Sequence, residues 1–137
     1  TFTALAAAVR RLLPGVRVRT VPGITAMQDL AARSGTVLAH GAETLALLPL
    51  TAGADAYRAA LDAFDTVVAY KGGRALPRLL AALAEAGRLD GPHGDAVYGA
   101  ALGLPDQDIR RACELPPDAT GPYLSTLLAT RRTRWPA

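Results

Sequence analysis

Apolar residues recur at helical spacing from Phe2 to Leu13, where Leu5, Val9, Leu12 and Leu13 share one face and Pro14-Gly15 ends the run. Val16 to Val21 then alternates strictly, which predicts a half-buried strand with Arg17 and Arg19 on its open face, broken by Pro22-Gly23. A helix is expected over Thr25 to Arg33. Thr25 and Gln28 have the spacing of a capping box, and Ser34-Gly35 closes the segment. Leu45 to Leu48 reads as a short apolar strand, followed by a Thr51-Ala52-Gly53 turn and a helix over Asp55 to Ala63.

Asp65 to Tyr70 has the character of a buried strand bounded by Lys71-Gly72-Gly73. The clearest helix is Arg74 to Ala86, with Leu76, Leu79, Leu80 and Leu83 on its core face and Gly87 as its stop. Pro77 falls near its first turn, where no intrahelical donor is lost. Asp95 to Ala101, Ile109 to Cys113 and Leu124 to Thr130 are further strands, with Leu104-Pro105-Asp106 as a turn and Arg131 to Ala137 as a frayed tail. Strands alternating with helices predict a layered α/β/α domain. The late strands, with no helix between them, predict a mixed rather than purely parallel sheet.

Composition narrows the function classes. Half of the 137 residues are hydrophobic and 20% are charged, which suits one packed core rather than a disordered chain. The apolar runs Leu45 to Leu50 and Leu79 to Ala84 fall far short of the ~20 residues that a membrane-spanning helix needs. The net charge is +3, but it is nearly all scattered arginine, with Lys71 the only lysine. Aromatics are 5%, so a solvated surface is favoured over nucleic-acid binding. Cys113 has no partner for an internal disulfide, and with only His40 and His93 beside it no metal site can be assembled. A reducing, cytoplasmic setting is expected. Thr1 to Pro14 lacks the features of a signal peptide, and the chain reads as a piece of something longer.

No catalytic residue can be assigned. Ser34 and Ser125 lie in no nucleophile-elbow context, His40 and His93 read as loop residues beside glycine, and Asp106 and Asp108 read as turn and cap residues. Gly99 to Gly103 lacks the spacing of a dinucleotide or phosphate loop. Lys71-Gly72-Gly73 is placed more suggestively. It follows the carboxyl end of the best buried strand, where open α/β sheets hold their ligands, although a plain strand-to-helix turn needs glycine too.

Four segments in order carry more information than any one of them: Val21-Pro22-Gly23-Ile24-Thr25-Ala26, Thr66 to Arg74 (Thr-Val-Val-Ala-Tyr-Lys-Gly-Gly-Arg), Leu102 to Gln107 (Leu-Gly-Leu-Pro-Asp-Gln) and Pro122-Tyr123-Leu124-Ser125-Thr126. This series resembles the tetrapyrrole (corrin/porphyrin) methylase family, and looks most like its precorrin-2 C20-methyltransferase branch. The resemblance extends from Thr1 to about Arg131. It implies that residues 1–22 are a helix-and-strand remnant of an N-terminal methylase domain, residues 23–131 the C-terminal α/β domain, and residues 132–137 a tail.

The resemblance also implies S-adenosyl-L-methionine as cofactor. Carried over by position, Thr25, Ala26, Lys71, Leu102, Pro122 and Tyr123 would line its cleft, and Arg74 would meet the carboxylates of a tetrapyrrole substrate. Five of them have a plainer role available: Thr25 as a helix cap, Lys71 as a strand end reaching solvent, Pro122 and Tyr123 as a strand start and a core aromatic, and Arg74 as a solvated cation. The expected partners are precorrin-2, a missing N-terminal domain and a second copy in a homodimer. The alternatives are a non-catalytic module that self-associates and a sister enzyme acting at C17 or C11.

Overall fold

Strand pairing is organised around the last of the described strands. The computed structural model describes residues 2–49, 53–71, 73–91 and 94–131. Its helices are α1 (Phe2–Leu12), α2 (Ala26–Ser34), α3 (Ala54–Ala63) and α4 (Leu76–Glu85), and its strands are β1 (Leu45–Pro49), β2 (Thr66–Tyr70), β3 (Asp95–Ala100), β4 (Asp108–Arg111) and β5 (Ser125–Thr130). They form a five-stranded sheet in the order β1-β2-β5-β3-β4. β1 and β2 are parallel, with Leu45 opposite Thr66; β5 then runs antiparallel between β2 and β3, and β4 is antiparallel to β3. The mixed α/β fold expected from the sequence is therefore present.

Alternation along the strands builds two cores. Val67, Ala69, Ala96, Tyr98, Leu127 and Ala129 face Tyr57 and Leu61 of α3 and Leu76, Leu79, Leu80 and Leu83 of α4. Val68, Val97 and Leu128 point the other way, onto Leu30 and Ala31 of α2. Burying each leucine of α4 contributes about 1.5–3 kcal/mol, so this helix anchors its layer. α2 comes close to the sheet because position 99 is glycine: a Cβ there would lie 2.7 Å from Leu30 Cδ1.

Four expectations need correction. Val16 to Val21 is irregular and, apart from half-buried Val18, exposed. No strand lies beside it among the described residues, and a lone strand has no partner for its N–H and C=O groups. The helix expected from Arg74 starts at Leu76, because Pro77 takes one of its first two positions and Gly73–Ala75 forms a 3-10 turn ahead of it. The strand expected over Ile109 to Cys113 is displaced to Asp108–Arg111, and Ala112–Glu114 coils into a 3-10 turn. Strand β3 stops at Ala100, where Ala101 adopts a positive φ of 48°. The Thr51-Ala52 part of the expected turn, His93, and tail residues 132–137 lie outside the described residues.

Candidate functional site

The carboxyl ends of β1, β2 and β3 share one edge of the sheet with the amino end of β5, and a cavity of about 430 Å³ opens there. In open α/β sheets this edge is the usual ligand position. Leu47, Leu48 and Pro49 from β1, Tyr70 and Lys71 at the end of β2, Leu102 after β3, Ala26 at the start of α2, and Tyr123 to Thr126 line it. Four residues selected from sequence, Ala26, Lys71, Leu102 and Tyr123, thus come together from four separate segments.

Local chemistry fixes each wall. The Gln28 N–H donates to Thr25 Oγ1 at 3.4 Å and the Thr25 N–H donates back to Gln28 Oε1 at 3.1 Å, so α2 starts with a complete capping box. Thr25 is not itself part of the lining, but Met27 beside it packs with Tyr70 against the same core, and burial pushes the pKa of the Tyr70 phenol up, an effect that neighbouring Thr25 and Met27 oppose. The helix start is thereby tied to the end of β2.

Lys71 and Ala101 are the non-glycine residues with positive φ among the described residues, at 64° and 48°. Each follows a strand that flanks β5. The Lys71 N–H donates to Ser125 O at 3.2 Å and the Ala101 N–H to Leu124 O at 2.9 Å, so both kinks are held against the same short segment. Left-handed backbone at a non-glycine residue is strained, and strain of this kind clusters at ligand sites. The Lys71 ammonium sits 5.9 Å from the centre of the Tyr123 ring, a cation–π distance.

Two selected residues lie elsewhere. Pro122 lines a second cavity of about 560 Å³ on the α3/α4 side of the sheet, with Tyr98, Asp106, Asp108 and Arg110. Arg74 is exposed in the 3-10 turn and does not reach the first cavity. Sequence reasoning missed Leu47, Leu48, Tyr70, Ser125 and Thr126. Their shared signal was position: all lie at the strand ends on the ligand-binding edge. Among the described residues no group of three or more His, Cys, Asp or Glu could hold a metal ion, and no helix is long and apolar enough to cross a membrane.

An α/β sandwich with a small-molecule cavity at its strand ends defines a broad class; comparison with known proteins narrows it. Residues 1–114 match the family described as Tetrapyrrole (Corrin/Porphyrin) Methylases, and the chain belongs to that family. A precorrin-2 C(20)-methyltransferase from Sinorhizobium sp is 36% identical over 119 residues, which take in 86% of this chain and 46% of that protein. The chain thus spans about half the length of the curated relative that it matches. The solved structure of cobalt precorrin-4 methyltransferase CbiF superposes over 95% of this chain and 58% of its own, with a TM-score of 0.64 at 17% identity. The methyltransferase CobJ gives a TM-score of 0.62 at 23% identity over 95% of this chain and 56% of its own. Uroporphyrin-III C-methyl transferase from Thermus thermophilus, solved with S-adenyl homocysteine, gives 0.54 at 19% identity over 93% and 58%.

Proposed function

We propose that this chain is the C-terminal part of a cytoplasmic S-adenosyl-L-methionine-dependent methyltransferase that acts on C20 of precorrin-2 in cobalamin biosynthesis. The observation that carries the reading is the convergence of Ala26, Lys71, Leu102 and Tyr123 on one cavity in a chain of this family. The choice of precorrin-2 and C20 is supported by the Sinorhizobium relative.

The cavity suits such a cofactor. About 430 Å³ falls within the ~300–1,000 Å³ of small-molecule sites, and Leu47, Leu48, Leu102 and Leu124 offer apolar walls to a flat purine. The Ser125 and Thr126 segment and the Lys71 ammonium supply polar groups for the amino-acid end. When bound, the sulfonium supplies an already activated methyl group, so no covalent nucleophile is required of the protein. This chain's share is to bind, orient and exclude water, and orientation alone can be worth ~7–11 kcal/mol. The described lining holds no carboxylate or imidazole. Exposed Arg74 would serve as an outer attraction for a polycarboxylate substrate rather than a contact inside the cavity.

The surface supports a covering partner. Leu5, Leu12, Leu13, Val16, Val21 and Ile24 are exposed large apolar side chains in one stretch of sequence, suited to a further domain or to a second copy in a homodimer. Calorimetric titration with S-adenosylhomocysteine tests the cavity. Heat of binding is expected, and none at millimolar ligand would favour the non-catalytic module. Incubating the full gene product with precorrin-2 should yield a product one methyl heavier at C20; methylation at C17 or C11 would move it to a sister reaction.

A further inference from the structure

The second cavity, of about 560 Å³, lies across a thin partition from the first. Ala101 and Pro122 line it, whereas the residues that follow each of them, Leu102 and Tyr123, line the first cavity. The Ala101 N–H donates to Leu124 O at 2.9 Å, which holds the two segments of the partition together. Most of the lining is apolar. Buried Leu76 of α4 and buried Tyr98 and Ala100 of β3 meet Leu115, Pro116 and Ala119 from the segment after β4.

The remaining lining includes three charges that do not cancel: Asp106, Asp108 and Arg110. Arg110 is committed to Asp108, its Nη2 2.8 Å from Oδ2 and its Nε donating to Oδ1 at 2.9 Å. Asp106 is exposed and has no ion pair or hydrogen bond among the described residues. Tyr98 stays a neutral phenol, since burial and then the Asp108 charge raise its pKa. One carboxylate is left over. The excess continues along the chain: residues 104–122 carry Asp106, Asp108, Glu114 and Asp118 against Arg110 and Arg111, in a protein of net charge +3. Arg111 is itself engaged by Asp90 and Asp95. The first cavity has the opposite bias, with Lys71 the one formal charge in its lining.

We propose that the second cavity is a binding site for a small organic cation, an apolar ring or short chain packed on Leu76, Ala100 and Leu115 and carrying one ammonium toward Asp106. The volume falls within the ~300–1,000 Å³ of small-molecule sites, which present an apolar lining with a few convergent polar groups. An anion of the same shape would meet the surplus carboxylate, so charge sets the selectivity. This site lies beside the cofactor cavity and does not depend on what fills that one.

The test is an NMR titration of the chain with tryptamine, tryptophol and indole-3-propionate, which share an indole body and differ in charge. Tryptamine should bind with a dissociation constant of about 1 mM or lower and shift the amides of Ala100, Ala101, Ala119 and Thr120. Tryptophol should bind there more weakly, and indole-3-propionate more weakly still. Asp106→Asn should weaken tryptamine roughly three- to tenfold at low salt and leave tryptophol unchanged, and high salt should shrink that difference. Tryptamine that shifts nothing at several millimolar, or that shifts Ala26, Tyr70 and Leu102 of the first cavity instead, overturns the site. Equal binding of the three ligands overturns it too, as does an Asp106→Asn chain that binds tryptamine as well as wild type. None of these outcomes bears on S-adenosylhomocysteine binding in the first cavity.

Discussion

Gly73 and Gly121 meet backbone to backbone. The Gly121 N–H donates to the Gly73 carbonyl oxygen at 3.0 Å, and a Cβ placed on Gly73 would fall 1.9 Å from the Gly121 carbonyl oxygen. The turn that leads from β2 into α4 is thereby clamped to the segment delivering Tyr123 to the cavity. No side chain fits between them.

Gly73→Ala should accordingly destabilise the fold by about 1–3 kcal/mol in urea denaturation and weaken ligand binding with it. Gly23, which has open space around it, provides the control. Gly23→Ala should stay within about 0.5 kcal/mol of wild type. Equal losses at the two positions would contradict the clamp.

Arg88 is 3% exposed and spends its guanidinium on main-chain carbonyls. It donates to the oxygens of Leu61 and Phe64, the latter at 2.7 Å, and to Asp65 O at 3.3 Å, closing the carboxyl end of α3 onto the start of β2. Replacing it with Met takes the side-chain donor from Phe64 O, while Asp65 O keeps the Arg131 N–H and Leu61 O the Arg131 guanidinium, and a loss of about 1–3 kcal/mol is expected in thermal or chemical unfolding. Arg88→Lys should recover only part of this, since an ammonium lacks the planar fork that reaches several carbonyls at once.

Tyr57 is 1% exposed, and its hydroxyl has no hydrogen-bond partner among the described residues. Desolvation pushes its pKa well above the ordinary phenol value, an effect that nearby Arg88 only partly opposes. Tyr57→Phe removes an unsatisfied polar atom and keeps the ring. Stability should rise by about 1 kcal/mol, and a clear loss would mean that the hydroxyl has a partner.

Asp65 accepts hydrogen bonds from the Thr44 N–H and hydroxyl, both at 2.9 Å, which joins the starts of the parallel strands β1 and β2. These bonds, the main-chain one first, hold its pKa below the ordinary carboxylate value. A folded-state pKa below the unfolded one means that the contribution is fully present above the unfolded value, near 3.8, and is lost as pH falls through the folded value. Urea titrations should show stability falling as pH drops below about 4. Asp65→Asn should flatten that acid limb while leaving the curve above neutrality parallel to wild type.

Most of the element order was legible because each element carried its own punctuation. The Thr25/Gln28 box, the helix-stopping Gly35 and Gly87, and the buried run from Thr66 to Tyr70 are local signals. Val16 to Val21 shows where such signals fail: alternation marks a segment that could pair, but only a neighbouring strand makes it one. The site divided the same way. Lys71 could be found because it follows an obvious strand, whereas Tyr70, Leu47 and Leu48 look like ordinary sheet residues until three strand ends are seen to converge. Arg74 stands only three residues from Lys71 in sequence, yet the 3-10 turn leaves it exposed and outside the lining of the cavity.

The placement of β5 has a consequence for biogenesis. Until Ser125–Thr130 has been synthesised and has cleared the ribosome, β2 and β3 each present a bare, strongly apolar edge toward the gap that it will fill. This sheet therefore cannot close until β5 has joined it. Closing it means inserting one strand between two, and shielding the two open edges until then would protect the chain from edge-to-edge pairing.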